Sequence, residues 1–390
     1  MAEQNKAQER VLMKGNEVLA EAAMRAGCRF FFGYPITPQT ELAAYMAKKL
    51  PLIGGTFLQA ESEVAAINMV YGAGAAGGRV MTSSSSPGVS LKSEGASYMA
   101  GADVPGVIVN VMRGGPGLGG IQPSQSDYFQ ATRALGHGDY FMPVLAPSTV
   151  QEMADLIYEA FDLADTYRTP TMILADGMIG QMMEPVTLPP ERDLSSLPAK
   201  PWATAGHKGE RAHNVINSLY LSPEKLEDTN RERFERYEEI KATQQRQELM
   251  MCDDAEIVVV AFGAASRIAR TAVRDARAKG IKAGLLRPIT LWPYPVNAID
   301  QVIENGAKKF LSVELNMGQM VEDVRLAVNG RASVDFYGRT GGVLPTPEEV
   351  LEQIVALAED RPVAPSAGAK VVASVLPAPI DRKSTYERGE

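Results

Sequence analysis

Four short segments hold residue types that bind small ionised ligands. The first is Tyr34-Pro35-Ile36-Thr37-Pro38. Its prolines fix the backbone, and the Thr37 hydroxyl can donate a hydrogen bond to a carboxylate. The second, Gln59-Ala60-Glu61-Ser62-Glu63, brings two acids to a strand-to-helix junction. The third runs from Thr82 through Ser83, Ser84, Ser85, Ser86 and Pro87 to Gly88. Its hydroxyls and exposed amides can hold an anion or a heterocycle. The fourth is Arg113-Gly114-Gly115-Pro116-Gly117-Leu118-Gly119-Gly120. Here one arginine, able to grip a carboxylate with two parallel hydrogen bonds, sits beside glycines that let backbone approach a ligand.

Each segment also has a plainer reading. The first can be a rigid turn with a helix cap, and the acids of the second can simply favour the positive end of a helix. The serines can form a solvated loop, and Arg113 can be a solvated side chain. Gly115 to Gly120 matches G-x-G-x-x-G, but Pro116 lies inside the turn and Ile121-Gln122-Pro123 follows where a helix is required, so a dinucleotide site is rejected. Together the four bring a carboxylate, an arginine, a threonine and serines to the ends of predicted strands. That set suits a 2-oxoacid beside a basic heterocyclic cofactor.

The elements that must position these loops alternate between strand and helix. GNEVLAEAAMRAG has helical spacing and stops at a glycine, and CRFFFGYP reads as a strand ending in a turn. SEVAAINMVYGAGAAG reads as a small-residue helix, RVMTSSSSPG as a strand running into a serine loop, and VSLKSEGASYMAG as a helix. VPGVIVNVMRGG and TPTMILAD read as strands, with a helix from Pro147 to Tyr167 between them and Ser148 as its N-cap. Alternation of this kind predicts an α/β fold with a mostly parallel, doubly covered sheet over residues 1–185.

Residues 186–254 are first Pro-rich and then charged. A helix capped by Ser222 and opened by Pro223 is expected there, either a solvated linker or a clasp for a partner. The α/β pattern resumes over 255–365, and 366–390 reads as a tail.

Composition narrows the functional classes. With 390 residues, about two or three domains are expected. A net charge of −8 argues against nucleic acid or an anionic membrane as main partner. No run nears the roughly 18 apolar residues of a membrane span, and the polar N-terminus shows no signal peptide. Two distant cysteines, Cys28 and Cys252, suit a reducing cytoplasm and are too few for an iron–sulfur cluster of the chain's own. Three histidines leave little for a His-based metal site, so no metal ligands are assigned.

The segments YPITP, QAESE, TSSSSPG and NVMRGGPG resemble the first-domain motifs of 2-oxoacid:ferredoxin oxidoreductases. VVAFGAASRIA, LLRPITLWPYP and VELNMGQM resemble the second domain of their larger, alpha subunit. The likeness covers about residues 15–365 and is nearest to the branched-chain, 2-oxoisovalerate type through GGIQPSQSDYFQATR and VINSLYLSPE. One departure is Lys92, where many relatives carry an apolar residue.

The resemblance implies a thiamine-diphosphate-binding-fold pyrimidine domain (1–185), a linker (186–254) and a transketolase-C-terminal-like α/β domain (255–365). It implies that Glu63 bonds the aminopyrimidine of thiamine diphosphate, as the catalytic acid. Thr37 and Arg113, with Tyr34, Pro35 and Ile36 beside them, would bind the oxoacid, and Ser84, Ser85, Ser86, Pro87 and Gly88 would hold the cofactor. The Gly-Asp-Gly element that such enzymes use for diphosphate and Mg²⁺ is missing: Asp139 lies in Gly-Asp-Tyr and Asp176 in Ala-Asp-Gly. Mg²⁺ and 4Fe–4S clusters are therefore expected on partners: a smaller beta subunit, with gamma and ferredoxin-like subunits and ferredoxin as acceptor. CoA is the expected co-substrate. A non-oxidative thiamine enzyme and a non-catalytic scaffold subunit are the alternatives. A substrate with a second carboxylate would need another cation, for which Arg133 and Lys92 are candidates.

Overall fold

The computed structural model describes residues 10–133 and 135–366. An eight-stranded sheet forms the first half. Across it run Thr290–Trp292, Val144–Leu145, Pro170–Asp176, Gly106–Gly114, Val80–Ser84, Phe30–Gly33 and Thr56–Gln59, and Gly120–Pro123 folds back onto the end of Gly106–Gly114. The pairs from Val144–Leu145 through to Thr56–Gln59 are all parallel.

Apolar alternation explains the layering. In the central strand, Val107, Val109 and Val111 face a core built from the helices Gly15–Arg25 and Val150–Tyr167. Ile108 and Met112 face the opposite core, under the helices Glu63–Ala75 and Ser93–Gly101. Side chains two apart share a face, so a strand covered on both sides must be apolar at nearly every position. Gly106–Gly114 and Pro170–Asp176 are buried throughout. Gly74 shows why the helix Glu63–Ala75 uses small residues: a Cβ there would lie 2.7 Å from a Val104 methyl and 2.8 Å from the Pro105 carbonyl.

The second sheet has five strands, ordered Gln247–Met250, Ala283–Pro288, Ile257–Val260, Lys309–Glu314 and Ser333–Gly338, antiparallel only at the first pair. Two strands depart from sequence order. Gln247–Met250, at the end of the expected linker, joins this second sheet. Thr290–Trp292 leaves it and pairs with Val144–Leu145 of the first. The helix Val150–Tyr167 is capped by Thr149, which accepts from the Glu152 amide, and not by Ser148, whose hydroxyl and amide both donate to the Glu152 carboxylate.

Ser222 caps the charged helix Pro223–Thr243 as expected. Most of that helix is solvated, but Arg233, Tyr237 and Ile240 are buried. Tyr237 packs edge-on against Phe141 and Trp292, whose own rings stack at 4.9 Å. Arg233 and Arg236 both reach Asp103. The helix therefore straps onto the first sheet beside the strand Thr290–Trp292.

Polar groups join the two halves. The buried Asp176 carboxylate caps the helix Gly177–Gln181 through the Met178 and Ile179 amides, and its other oxygen accepts from the Ala264 amide at 2.9 Å. The buried Gln125 donates to the Phe262 carbonyl and accepts from the Leu315 amide. Arg287 reaches back to Glu152, and Arg267 to Glu184. Among the described residues, no helix is long and apolar enough to cross a membrane.

Asp176→Ala strands buried amides on both sides of this joint, and each such loss costs about 1–3 kcal/mol. Scanning calorimetry is expected to show a lower unfolding temperature and a resolved first transition as the halves uncouple. A single unchanged transition would mean that Asp176 does not couple them.

Candidate active site

The first three segments meet at one edge of the large sheet, at the carboxyl ends of its parallel strands, where open α/β sheets bind ligands. The fourth enters from the neighbouring strand. At the second segment, Ser62 is extended and its hydroxyl accepts from the Ala65 amide, which makes Glu63 the first residue of the helix Glu63–Ala75. That geometry separates the two acids. Glu61 is exposed, whereas Glu63 is turned inward and 7% exposed. Among the described residues its carboxylate makes no hydrogen bond.

The strand Val80–Ser84 ends one residue short of a helical turn, Ser86–Ser90, so the expected serine loop is partly helix. Gly88 in that turn lies against Glu63. A Cβ on Gly88 would sit 2.2 Å from Ser84 Oγ and 2.6 Å from Glu63 Oε1. Ser84 and Ser85 are buried, and their hydroxyls have no partner among the described residues. Ser86 adopts φ 24°, a conformation that non-glycine residues rarely take. Asn110 Oδ1 accepts from its amide, and its hydroxyl donates to Asp127 at 2.5 Å. Burial raises the Asp127 carboxyl above its usual range, against the opposing pull of Ser86, Asn110 and Arg113.

Arg113 is the penultimate residue of the central strand. Its amide donates to Ser86 Oγ, and its guanidinium donates to the Thr37 and Leu118 carbonyls, each at 3.0 Å. The third guanidinium nitrogen, Nε, is buried without a partner. Arg113 therefore joins the Thr37 loop, the glycine loop and the serine turn. Tyr34 and Pro35 are exposed beside them, Ile36 is half-buried, and Pro38 is held from below by Asn16. A cleft of about 530 Å³ opens beside Ser86 and Pro87, with Gly115, Asp127, Asn316 and Thr340 on its walls. The second half of the chain thus supplies one side of it.

Three contributors escaped the sequence reading. Gln39 accepts from the Ser83 hydroxyl, Asn110 braces Ser86, and Asp127 receives both. Asn110 had a usable signal, a lone amide inside the apolar run VIVNVM. Asp127 had none. Neither candidate for a second carboxylate is available: both terminal guanidinium nitrogens of Arg133 are committed to Asp323, and Lys92 is fully buried. Both cysteines are buried, and burial pushes their thiols up, Cys28 to about 12 and Cys252 to about 11.

Comparisons with known proteins converge on one family. Residues 21–261 match the family described as pyruvate flavodoxin/ferredoxin oxidoreductase, thiamine diP-bdg, and residues 255–350 match pyruvate:ferredoxin oxidoreductase core domain II. The chain is 50% identical to the ketoisovalerate oxidoreductase subunit VorB of Methanothermobacter thermautotrophicus, over 90% of this chain and 98% of that one. The solved 2-oxoglutarate:ferredoxin oxidoreductase from Magnetococcus marinus, with 2-oxoglutarate, coenzyme A and succinyl-CoA bound, superimposes with a TM-score of 0.75 at 28% identity. That match covers 91% of this chain and 66% of that chain. A split-gene transketolase shares the fold at 12% identity, with a TM-score of 0.53 over 88% of this chain and 97% of that chain.

Gly88→Ala forces a methyl into Ser84 and Glu63, an overpacking that costs about 1–3 kcal/mol. Urea unfolding of the variant is expected to show that loss. Wild-type stability would mean that Glu63 is free to swing away from Gly88.

Proposed function

The chain belongs to the 2-oxoacid:ferredoxin oxidoreductases, as the subunit with their thiamine-diphosphate-binding pyrimidine domain, and from that premise we propose that its complex acts on branched-chain 2-oxoacids, 2-oxoisovalerate first among them. The reaction class is oxidative decarboxylation: 2-oxoacid and CoA give acyl-CoA, CO₂, a proton and two electrons that reduce ferredoxin. The observation that carries the substrate is the 50% identity to a ketoisovalerate oxidoreductase subunit over nearly its whole length. The geometry is compatible, since of the two cations considered for a second carboxylate Arg133 is committed to Asp323 and Lys92 is fully buried.

The residues present fit the cofactor. The Ser84 hydroxyl and the Glu63 carboxylate, neither hydrogen-bonded among the described residues, crowd Gly88, and the unpartnered Ser85 hydroxyl precedes the same turn, a cradle for a flat ring with polar edges. Glu63 would bond the ring nitrogen of the aminopyrimidine, with Ser84, Ser85, Ser86, Pro87 and Gly88 as the wall behind it. When bound, thiamine diphosphate supplies the carbon nucleophile and the electron sink for decarboxylation.

The chain's own residues then have two tasks. Glu63 holds a proton at the pyrimidine edge. Arg113 and Thr37, fixed to each other, receive the oxoacid carboxylate, with Tyr34, Pro35 and Ile36 alongside. Nη1 and Nη2 each give one N–H to a carbonyl and keep a second for this, and Nε has no partner among the described residues.

The family works as hetero-oligomers with ferredoxin. In our reading a smaller beta subunit brings the diphosphate site, Mg²⁺ and 4Fe–4S clusters, and gamma and ferredoxin-like subunits complete the path. The absence of Gly-Asp-Gly from this chain supports that division.

Steady-state kinetics of the purified complex test the substrate. The expected order places 2-oxoisovalerate ahead of pyruvate, aryl oxoacids and 2-oxoglutarate. Arg113→Ala is expected to raise KM for every oxoacid roughly 10- to 100-fold, matching loss of a charge-assisted contact of about 1.5–3 kcal/mol, and to leave KM for CoA unchanged. A preference for 2-oxoglutarate, or an oxoacid KM indifferent to Arg113, overturns the respective assignment.

Glu63→Gln keeps the size but not the proton, and general acid–base help of this kind is worth about 10²–10⁴ in rate. Turnover and C2-proton exchange of bound thiamine diphosphate, followed by NMR, are expected to fall by that order in an intact complex. Glu61→Gln is the control and should leave both near wild type. The reverse pattern would show that the acid was misassigned.

A further inference from the structure

The side chain of a 2-oxoacid starts two bonds from its carboxylate carbon. Whatever meets that side chain must therefore stand beside the group that grips the carboxylate. At Arg113 one such residue is fixed: the guanidinium Nη2 donates to the Leu118 carbonyl at 3.0 Å. A Cβ lies roughly 3 Å from its own carbonyl oxygen, so the Leu118 side chain begins within roughly 6 Å of that nitrogen.

The turn that carries Leu118 has little freedom. Gly114 pairs with Gly120 and closes a hairpin around it. Gly117 and Gly119 take φ 69° and 57°, the left-handed region that favours glycine. A Cβ on Gly119 would lie 1.8 Å from the Gly114 carbonyl oxygen, so only glycine closes the turn this tightly. Behind it Gly342 packs on Gln122, where a Cβ would lie 2.3 Å from the Gln122 Cβ. What this braced turn presents is a leucine 81% exposed. A large apolar side chain held out beside a carboxylate-binding arginine is placed to bury apolar surface of the same ligand.

Charge around the turn limits what that surface can be. Gly115, Pro116 and Gly117 form part of the cleft beside Ser86, and none of the described residues that line it is Lys, Arg or His. Its one charged residue is an acid, Asp127. Arg339, next to Thr340 of the same cleft, is paired with Glu349, and Arg133 with Asp323. Arg113 answers one carboxylate, and the cleft offers no cation to a second.

We propose that Leu118 is a specificity-determining residue: its isobutyl group packs against the apolar side chain of the oxoacid whose carboxylate Arg113 holds. A branched side chain covers it. The methyl of pyruvate is too short to do so, and 2-oxoglutarate would set a second carboxylate against it. The inference rests on the reading of Arg113 as the receiver of the oxoacid carboxylate, and adds to it the residue that selects the side chain.

The test is kcat/KM of the purified complex on 2-oxoisovalerate, pyruvate and 2-oxoglutarate, for wild type, Leu118→Ala, Leu118→Lys, Ile121→Ala and Arg113→Ala. Leu118→Ala is expected to lower the value for 2-oxoisovalerate about tenfold, as one or two methylenes do in an apolar pocket, and that for pyruvate less than about threefold. Leu118→Lys is expected to raise the ratio of 2-oxoglutarate to 2-oxoisovalerate by about tenfold or more. Ile121 is 57% exposed on the returning strand of the hairpin, and Ile121→Ala is the control that should leave both ratios near wild type. Equal losses on all three oxoacids in Leu118→Ala, or weakened subunit assembly at wild-type ratios, would show that another subunit covers Leu118 and overturn the inference. Ratios shifted as far by Ile121→Ala overturn it too. An unchanged Leu118→Ala ratio beside an impaired Arg113→Ala sinks this inference alone. An Arg113→Ala complex with wild-type oxoacid KM removes the Arg113 reading and this one with it. Should Leu118→Lys fail to assemble, the Leu118→Ala ratio decides.

Discussion

One buried carboxylate fixes how the halves of the molecule meet. Asp176 ends the strand Pro170–Asp176, and its two oxygens are shared between helix starts in different halves. Its carboxyl is raised by burial, with the Ala264, Ile179 and Met178 amides and Arg267 pulling the other way. A folded-state pKa above the unfolded value favours the fold most at low pH, and that contribution is lost as pH rises through the folded value. Above the folded value its own titration is thus no net gain. Its value lies in specificity: the amides accept one docking geometry, and Gln125 repeats the constraint nearby. The cleft beside Ser86 depends on that docking, because Asn316 and Thr340 come from the second half.

Much of this was legible beforehand because sheet geometry is local. Strands covered on both faces must read as apolar runs, and polar residues placed just past their ends must lie at the ligand edge. That logic put Thr37, Glu63, the serines and Arg113 at one edge, and the structure joins Thr37 to Arg113 and Glu63 to the serine turn. What stayed hidden was long-range. Nothing in LWPYP announces that Thr290–Trp292 pairs with Val144–Leu145, since a three-residue strand carries no period of its own. Asp127 reads as one more polar residue in SQSDYF until the fold brings it under Ser86. The cap at Thr149 was missed by one residue because Ser148 and Thr149 have the same chemistry and differ only in backbone phase.

The site is divided by charge. On one side Arg113 gathers three loops and keeps N–H donors for an anion. On the other, Glu63 lies against the serine turn, and Lys92 is fully buried with its Nζ donating to Thr82. Exposed apolar side chains flank both regions, Val64 and Leu91 near the acid and lysine, Leu118 and Ile121 on the glycine loop. Such residues are compatible with a surface that another subunit covers, as expected of a chain that works only in a hetero-oligomer.

The two acids of the QAESE run show how little separates a structural carboxylate from a functional one. Ser62 caps the helix, so the chain turns through one residue between Glu61 and Glu63, and only the second points inward. Once inside, it meets a position that no residue other than glycine can occupy without pushing it away. A carboxylate buried without hydrogen bonds is costly unless something compensates it. In the described structure no hydrogen bond compensates it, and the unpartnered hydroxyl of Ser84 crowds the same glycine, so the site is shaped to receive a ligand's donor.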